Sequence, residues 1–416
     1  MIVGGTVMGS AIFLVPSDVA RTLPNPVLIA AVWIFAGVLT YFGALAFAEL
    51  GAMYPASGGQ YVYLRESWGK LTAFLFGWAF LLVIRSGGTA TLAVGFAIYL
   101  GHFIPLTPTG AKIAAVGVIL ILTLVNCRGV RLGAAVQNVM TIAKVLGIAL
   151  LIGSALLSPL PSALHWTAPA EFSWSHFGVA TIACLWAYQG WFMGGMVAGE
   201  IKRPERNLPL ALSLGVGGII VIYLSANLAY LHILSVAEIA GAERVAALMA
   251  NRTMGEAGAS IVSLVILVSI FGALNGGILG GPRVYFAMAR DGLFFRKIAE
   301  VHPKYETPAF AVLVQGVWSS LLAVSGSYEK LFSYVIFSSW IFYGLAVAGV
   351  IVLRRRHPDF PRPYKMWGYP ITPVLFVATS MLFVANTLAT KPVPSLLGLL
   401  CVASGVPAYL FWRRAR

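Results

Sequence analysis

Long apolar runs separated by short polar gaps fill the whole 416-residue chain. A helix that crosses a bilayer needs roughly 20 apolar residues, so the pattern predicts about twelve membrane-spanning helices. They cover residues of about 2–20, 26–54, 71–101, 111–127, 133–157, 175–200, 207–234, 256–290, 308–325, 331–354, 369–389 and 394–412. The polar gaps are too short to bury a core of their own. The pattern therefore predicts an all-α polytopic membrane protein made of a single membrane domain, residues 1–416.

Two of these runs are interrupted at membrane depth by small or polar residues. The first run contains Gly9-Ser10-Ala11, and the sixth contains the stretch 186–191, Trp-Ala-Tyr-Gln-Gly-Trp. Free backbone groups are tolerated in lipid only where they face protein or a cavity, so broken helices at this depth indicate a binding site. Breaks in helices one and six fit a five-plus-five inverted repeat, with a first repeat at about 1–157, a second at about 175–354, and additional helices at about 369–412. Close helix packing by small residues is the competing interpretation.

The composition agrees with a membrane protein. The chain is 59% hydrophobic and 10% charged, with a mean hydropathy of +0.87. Its net charge of +14 comes from Lys and Arg in the gaps, which favours topogenesis over nucleic-acid binding. On alternate sides of the predicted helices these residues number nineteen and six, and the six are Arg21, Lys112, Arg244, Arg252, Lys330 and Lys391. The positive-inside rule then predicts a protein of the cell (inner) membrane with both termini in the cytoplasm.

The two breaks offer groups that suit an amino acid. Amide groups of Gly9, Ser10 and Ala11 at the start of a half-helix, where the helix dipole adds partial positive charge, suit a carboxylate. Freed backbone carbonyls suit an ammonium group. We expect these carbonyls near the first break at Val7 and Met8, and at the second break at Leu185, Trp186, Ala187 and Tyr188.

Lys144 is predicted to lie within the membrane, with apolar residues on both sides in the fifth run. An ionisable side chain at this depth is costly and marks a functional site by default. The functional interpretation is a fixed ammonium group that binds carbonyls of the broken first helix, in the place where related folds hold a sodium ion. Snorkelling of the side chain to the membrane surface is the alternative.

Aromatic residues surround the second break. Trp186 is predicted to act as a lid over a bound ligand, where its bulk limits the side chain that the site admits. For Tyr188 and Trp191, packing alone is an equal interpretation. Tyr223 and Asn227 share one face of the seventh helix and could bond either the site or a neighbouring helix.

Three further polar residues are assigned structural or gating roles, with substrate contact as the alternative for Arg85. Arg85 is a second intramembrane cation beside small residues, and it requires a carboxylate or carbonyl partner, for which Glu49 is a candidate. Asn275 is a polar position in the eighth helix. None of these three residues belongs to a pattern that predicts catalysis.

No enzyme, metal or cofactor chemistry is indicated. The six histidines lie in gaps or at helix ends without metal-ligand spacing, and no Walker-type Gly-Lys-Ser/Thr loop occurs. The three cysteines lie in or beside apolar runs, which indicates neither a disulfide framework nor a thiolate metal site. Transport would therefore have to draw on gradients or exchange, and the sequence predicts no cofactor.

Several motifs together resemble the L-type amino acid transporter group of the amino acid, polyamine and organocation superfamily. They are Gly9-Ser10-Ala11-Ile12-Phe13, Ala48-Glu49-Leu50-Gly51, Pro55-Ala56-Ser57-Gly58-Gly59-Gln60-Tyr61, Ile84-Arg85, Lys144, Trp186-Ala187-Tyr188, Gly190-Trp191, Asn207-Leu208-Pro209, Tyr223 and Phe271-Gly272-Ala273-Leu274-Asn275-Gly276. The resemblance implies a LeuT-like fold and sodium-independent exchange or facilitated transport of neutral L-amino acids. It also implies that Lys144 substitutes for sodium, that Trp186 stands at the aromatic gate and that Tyr223 faces the site.

The chain departs from that group at several positions. The group usually has Gly at the position of Ala11 and Phe at the position of Trp186, which favours small to medium substrates. No Cys lies between the third and fourth helices to tether a glycoprotein heavy chain, so we expect no such partner. The predicted partners are an amino acid substrate and the lipid bilayer, without nucleic acid. Proton-coupled uptake of an amino acid or amine, a non-transporting nutrient receptor and, more remotely, a membrane enzyme remain alternatives.

Overall fold

The computed structural model describes residues 7–8, 11–56, 58–128, 130–166, 172–196, 198–326 and 328–414, and these residues form helices without any strand. The helices are α1 Ala11–Thr22, α2 Pro26–Met53, α3 Gln60–Trp68, α4 Lys70–Ala79, α5 Arg85–Leu100, α6 Pro108–Cys127, α7 Val130–Leu156, α8 Trp174–Ala187, α9 Met193–Met196, α10 Pro204–Ile233, α11 Val236–Gly241, α12 Val245–Gly280, α13 Pro282–Arg290, α14 Ala309–Ser325, α15 Tyr328–Arg356, α16 Ile371–Thr390, α17 Pro392–Ala403 and α18 Gly405–Arg414. Residues Phe80–Ile84 form a π-helical turn that joins α4 to α5.

Nine helical segments within the described ranges are long and apolar enough to cross a membrane, and Ala309–Ser325 is a shorter apolar helix. The protein is thus a polytopic membrane protein, as the apolar pattern predicts. Local signals set several helix starts. At α2, the Asn25 side chain accepts hydrogen bonds from the amides of Val27 and Leu28, and Pro26 occupies the first turn. Both features are favoured at helix N-termini.

The start of α12 differs from the sequence prediction by more than a few residues. The eighth run was predicted to begin at residue 256, whereas α12 begins at Val245. The predicted start coincides with a kink, because Gly255 has a φ of 71° inside the helix. Glycine reaches this left-handed region without a Cβ penalty, so the backbone can change direction there while the helix continues.

Several of the helices pack in pairs, and α5 lies among three others. α10 packs along α2, α12 along α7, and α14 along α6, while α5 lies between α12, α14 and α15. The core that they share includes buried aromatic residues such as Trp33, Trp191 and Trp340. This arrangement brings the first and sixth predicted spans, which are represented by α1 and α8, against each other.

Candidate functional site

The second predicted break is confirmed as an interruption of the helix. α8 ends at Ala187, and α9 resumes only at Met193. The amide of Gln189 bonds Trp186 O at 3.0 Å, three residues back, which ends the regular helical ladder. Gly190 has a φ of 117°, a conformation that favours glycine. The chain therefore turns here in the interior of the protein.

The first break is described on both of its flanks, while Gly9 and Ser10 lie outside the described residues. Carbonyls on the near flank are bonded by side chains of other helices. Val7 O accepts from Tyr223 Oη at 3.1 Å, and Met8 O accepts from Ser269 Oγ at 3.3 Å. Each carbonyl has two lone pairs and can accept a second hydrogen bond. Tyr223 of α10 therefore bonds the flank of the first break.

A proline leaves the carbonyl of Ile12 in α1 in need of a donor. Pro16 lacks an N–H group, so it cannot bond the carbonyl of Ile12, four residues before it. Tyr230 Oη donates to this carbonyl at 3.4 Å. Tyr99 Oη donates to the next carbonyl, that of Phe13, at 3.2 Å. Tyrosines of α5 and α10 thus hold the half-helix α1 in place.

A small cavity of about 40 Å³ lies between the two interrupted segments. Among the predicted site residues it is lined by Val7, Ala11, Arg85 and Trp186. The Trp186 ring lies near Gly88, where an added Cβ would be 3.9 Å from Trp186 Cη2. Both breaks therefore face one enclosed space.

Other predicted residues lie near this cavity but do not line it among the described contacts. Leu185, Ala187 and Tyr188 are buried in or beside the end of α8. The hydroxyl of Tyr188 donates to Trp33 O at 3.3 Å, and its ring packs 5.2 Å from that of Tyr223. Tyr188 thus packs toward α2 and α10.

Trp191 and Asn227, the other two candidates beside the breaks, also pack within the protein. Trp191 packs against Phe47, with ring centroids 4.7 Å apart. Asn227 Nδ2 donates to Tyr223 O in its own helix at 2.8 Å. These contacts agree with the packing interpretation for Trp191, and they place Asn227 one turn behind the tyrosine that meets the first break.

Sequence reasoning missed Gln189 and Phe192, which also line the cavity. The Gln189 side chain donates from Nε2 to Ser339 Oγ of α15 at 3.2 Å. Ser339 Oγ in turn donates to Val335 O at 2.6 Å, and Val335 lines the same cavity. An amide side chain inside an interrupted apolar segment was the available signal for Gln189, whereas no local signal distinguishes Phe192 or Val335.

Arg85 is the single charged residue among the described residues that line the cavity. It begins α5, directly after the π-helical turn, and its Nη2 lies 3.4 Å from Thr89 Oγ1. Its Nε is buried without a hydrogen-bond partner among the described residues. The guanidinium rests against Gly277 of α12, where an added Cβ would collide with it. Small residues on α12 therefore make the space that this cation occupies.

Glu49 is not the partner of Arg85, which corrects the pairing considered from the sequence. Its carboxylate accepts two hydrogen bonds from Arg354, at 2.8 Å from Nε and 2.7 Å from Nη2, and a third from the amide of Met366 at 2.7 Å. Arg362 Nε lies 3.8 Å from the same carboxylate. Glu49 is completely buried. It therefore joins the end of α2 to α15 and to the segment that follows α15, away from the cavity.

Lys144 and Asn275 lie on the α7 and α12 side of the site. Lys144 is fully buried in α7, and an added Cβ at Gly272 of α12 would lie 3.5 Å from its Cε. Gly272 is three residues after Ser269, whose hydroxyl donates to Met8 O. Asn275 Oδ1 accepts from Asn126 Nδ2 of α6 at 2.9 Å. Snorkelling of Lys144 is thus excluded in this structure, and Asn275 joins two helices.

A charged cluster outside the spans fixes the segment between α10 and α12. Glu238 of α11 accepts from Arg252 Nη2 at 2.6 Å and from both the hydroxyl and the amide of Ser235, at 2.7 and 2.8 Å. The hydrogen bond from Arg252, with those from Ser235, lowers the pKa of Glu238 from its ordinary value of 4.5 to about 2. Hydrogen bonds to the charged form of a carboxyl have this effect.

Acid is expected to loosen this segment. Because the folded-state pKa of Glu238 is lowered, its contribution to stability is present above pH 4.5 and is lost as the pH falls toward 2. Hydrogen exchange of α11 measured by mass spectrometry, corrected for the intrinsic pH dependence, should rise between pH 5 and pH 2 in the wild-type protein. Glu238→Gln should exchange faster at pH 5 and change less on acidification. Equal exchange in both proteins at pH 5 would contradict this role.

Comparisons with known proteins agree with this architecture. The family model described as "Amino acid permease" matches residues 1–403. The mouse protein "Large neutral amino acids transporter small subunit 2" is 34% identical over 99% of this chain and 80% of its own length. The "Serine/threonine exchanger SteT" of Bacillus subtilis (strain 168) is 33% identical over 97% of this chain and 93% of its own. The human "Cystine/glutamate transporter" is 31% identical over 98% and 82%.

These matches cover nearly the whole chain and include the interrupted segments that line the cavity. They also exclude an enzyme, in agreement with the sequence prediction, because the family and these relatives are membrane transporters. The chain belongs to the amino acid permease family, within the L-type amino acid transporter group of the amino acid, polyamine and organocation superfamily.

Proposed function

We propose that this protein is a sodium-independent exchanger of small to medium neutral L-amino acids that works by alternating access. The observation that carries the proposal is the cavity bounded by both interrupted segments, with Val7 and Ala11 on one side and Trp186, Gln189 and Gly190 on the other. A substrate there would reach backbone groups of two half-helices, which can recognise the carboxylate and the ammonium of an amino acid without a metal ion.

Each predicted residue has a role in this proposal. Amides of Gly9, Ser10 and Ala11 take the carboxylate. The carbonyls of Val7 and of the end of α8, at Leu185, Trp186, Ala187 and Tyr188, take the ammonium. Tyr223 supports the proposal through its bond to Val7 O, since it holds one of these carbonyls in place. Trp186 closes over the substrate, and its bulk restricts the substrate side chain.

Arg85 disfavours a substrate with a cationic side chain. It is the one charge among the described residues that line the cavity, and a cationic side chain beside it would meet like-charge repulsion in a medium of low dielectric constant. The printed names of the relatives include large neutral amino acids and serine/threonine. We assign Arg85, Glu49 and Asn275 to structure or gating, because the latter two bond neighbouring helices.

The fold that we propose is LeuT-like, with twelve spans and two inverted repeats. The repeats comprise residues of about 1–157 and 175–354, and the helices at about 369–412 are additional. The position of the interruption at the start of the second half supports this division. The uneven distribution of Lys and Arg between the two faces supports a cell-membrane protein with both termini in the cytoplasm. The absence of Cys from residues 101–107 supports a transporter without a disulfide-linked heavy chain, although one relative is named a small subunit.

Counterflow in proteoliposomes tests the function. Vesicles loaded with an unlabelled neutral amino acid should take up the labelled form several times faster than empty vesicles, because exchange returns the carrier in its loaded state. Replacing Na⁺ by N-methylglucamine should leave the rate unchanged. A pH gradient that drives accumulation into empty vesicles would instead establish proton coupling, and saturable binding without flux would establish a receptor.

A matched pair of tryptophan variants ties this activity to the cavity. Trp186→Ala removes the proposed lid and should lower exchange by at least about tenfold, as expected for the loss of a group that excludes water and positions the substrate. Trp174→Ala changes the same residue type at the other end of α8, where Trp174 is 79% exposed, and should leave exchange unchanged. Equal rates in the two variants would contradict the assignment of Trp186.

A further inference from the structure

Two adjoining cavities lie at the ends of the spans, well away from the site between the breaks. One has a volume of about 460 Å³ and lies between the end of α5, the start of α6 and the end of α14. The other has a volume of about 710 Å³ and lies along α11 and the start of α12. Glu243 and Arg244 line both. The two cavities therefore join at these two residues and form one groove. We call it the α5–α12 groove.

Four charged side chains of the α5–α12 groove take part in no ion pair between described residues, whereas Glu238, which also lines it, is paired with Arg252. Arg244 Nη1 is buried without a hydrogen-bond partner in the part of the chain that the structure describes. Lys112, Glu243 and Glu256 also line the groove, and none of the ion pairs between described residues includes any of these four side chains. A buried donor without a partner is costly in a folded protein. Besides the paired Glu238, the groove thus presents two cations and two anions to a ligand that carries both charges.

The wall below these charges is apolar. Val94, Ile98 and Leu106 line the cavity at the corner where α5 ends and α6 begins. Nearby residues of this corner expose large apolar side chains, with Ile104 55% exposed and Ile113 67% exposed. Candidate spans end at Leu100 and restart at Pro108. The groove therefore lies where the hydrocarbon of a bilayer meets its headgroups.

We propose that the α5–α12 groove binds a phospholipid with an ethanolamine headgroup. Arg244 and Lys112 bind the phosphate, Glu243 binds the primary ammonium, and one acyl chain lies along the apolar wall. Choline has no N–H to donate, and glycerol has no positive charge, so neither headgroup satisfies both halves of the groove. The bound lipid joins the α5–α6 corner to the start of α12.

Lipid binding can be measured on the full-length protein by native mass spectrometry after delipidation and addition of phosphatidylethanolamine. We expect the wild-type protein to retain this lipid and Arg244→Ala to bind it about tenfold more weakly, because a charge-assisted hydrogen bond is lost. Lys112→Ala removes an exposed group and should weaken binding about threefold. Lys391→Ala removes a lysine from the same predicted face, outside the groove, and should bind as the wild-type protein does.

The headgroup is assigned by comparing lipids. The wild-type protein should prefer phosphatidylethanolamine over both phosphatidylcholine and phosphatidylglycerol, and Glu243→Gln should reduce the preference over phosphatidylglycerol. Equal retention of the three lipids, or wild-type affinity in both Arg244→Ala and Lys112→Ala, would overturn the proposal. If Arg244→Ala does not fold, Lys112→Ala decides alone. Binding is measured without transport, so its outcome is independent of the proposed exchange.

Discussion

Substituting Lys144 by alanine is expected to lower amino acid exchange by at least about tenfold. The ammonium group is fully buried, and a hydrogen bond to a charged group contributes about 1.5–3 kcal/mol. Its loss near the first break would let the segment before α1 leave the geometry that we propose for the substrate carboxylate. The measurement is the initial rate of counterflow in proteoliposomes, normalised to the amount of folded protein.

The position of Lys144 explains why the effect should fall on transport. Its side chain approaches α12 at Gly272, and Ser269 on the same helix donates to Met8 O beside the break. Residues three apart in a helix share a face. Ser269 therefore reaches the first break from the face of α12 that Lys144 approaches, while Tyr223 reaches the neighbouring carbonyl of Val7 from α10.

Two control variants separate charge from packing. Lys144→Met fills a similar volume without charge and should lose as much exchange as Lys144→Ala. Met140→Ala removes a side chain from the preceding turn of α7, which also faces Gly272, and should retain most of the exchange. Undiminished exchange in Lys144→Ala would show that the lysine does not support the break. If the exchange rate fell as much in Met140→Ala as in Lys144→Ala, the effect would be due to packing.

The sequence predicts the spans well because their apolar length is a local property. Predicted and observed ends differ by a few residues for most helices, as at α2, which was predicted at 26–54 and is observed at Pro26–Met53. The interruption after Ala187 was predicted for a similar reason, since Gly190 and its polar neighbour Gln189 lie next to each other in the chain. Repeat symmetry and membrane orientation concern the whole assembly, and they stay proposals.

Side-chain partners could not be predicted in the same way. Glu49 and Arg354 are separated by 305 positions, and no local pattern distinguishes Arg354 from Arg85 as the partner of this carboxylate. Tyr188 was grouped with the site because it flanks the break, yet its hydroxyl bonds Trp33 O. The direction of a side chain at a break depends on how the chain turns there. The large cavity-lining residue Phe192 was missed for the same reason.

Replacing Glu49 by alanine is expected to cause the largest loss of stability. Glu49 is completely buried and forms a bidentate ion pair with Arg354, whose side chain is 19% exposed. Removing one partner of a buried pair leaves an uncompensated charge and costs about 3–5 kcal/mol. The amide of Met366 loses its acceptor as well. We therefore expect a clear fall in the apparent melting temperature of the purified protein in detergent.

Glu66→Ala provides the matched control, because Glu66 also pairs with an arginine but at the surface, where its side chain is 35% exposed. A surface pair contributes about 0–1 kcal/mol, so this variant should melt close to the wild-type protein. Glu49→Gln keeps an acceptor for Met366 and should lie between the two. If Glu49→Ala had the same apparent melting temperature as Glu66→Ala, the buried pair would not stabilise the contact between α2 and α15.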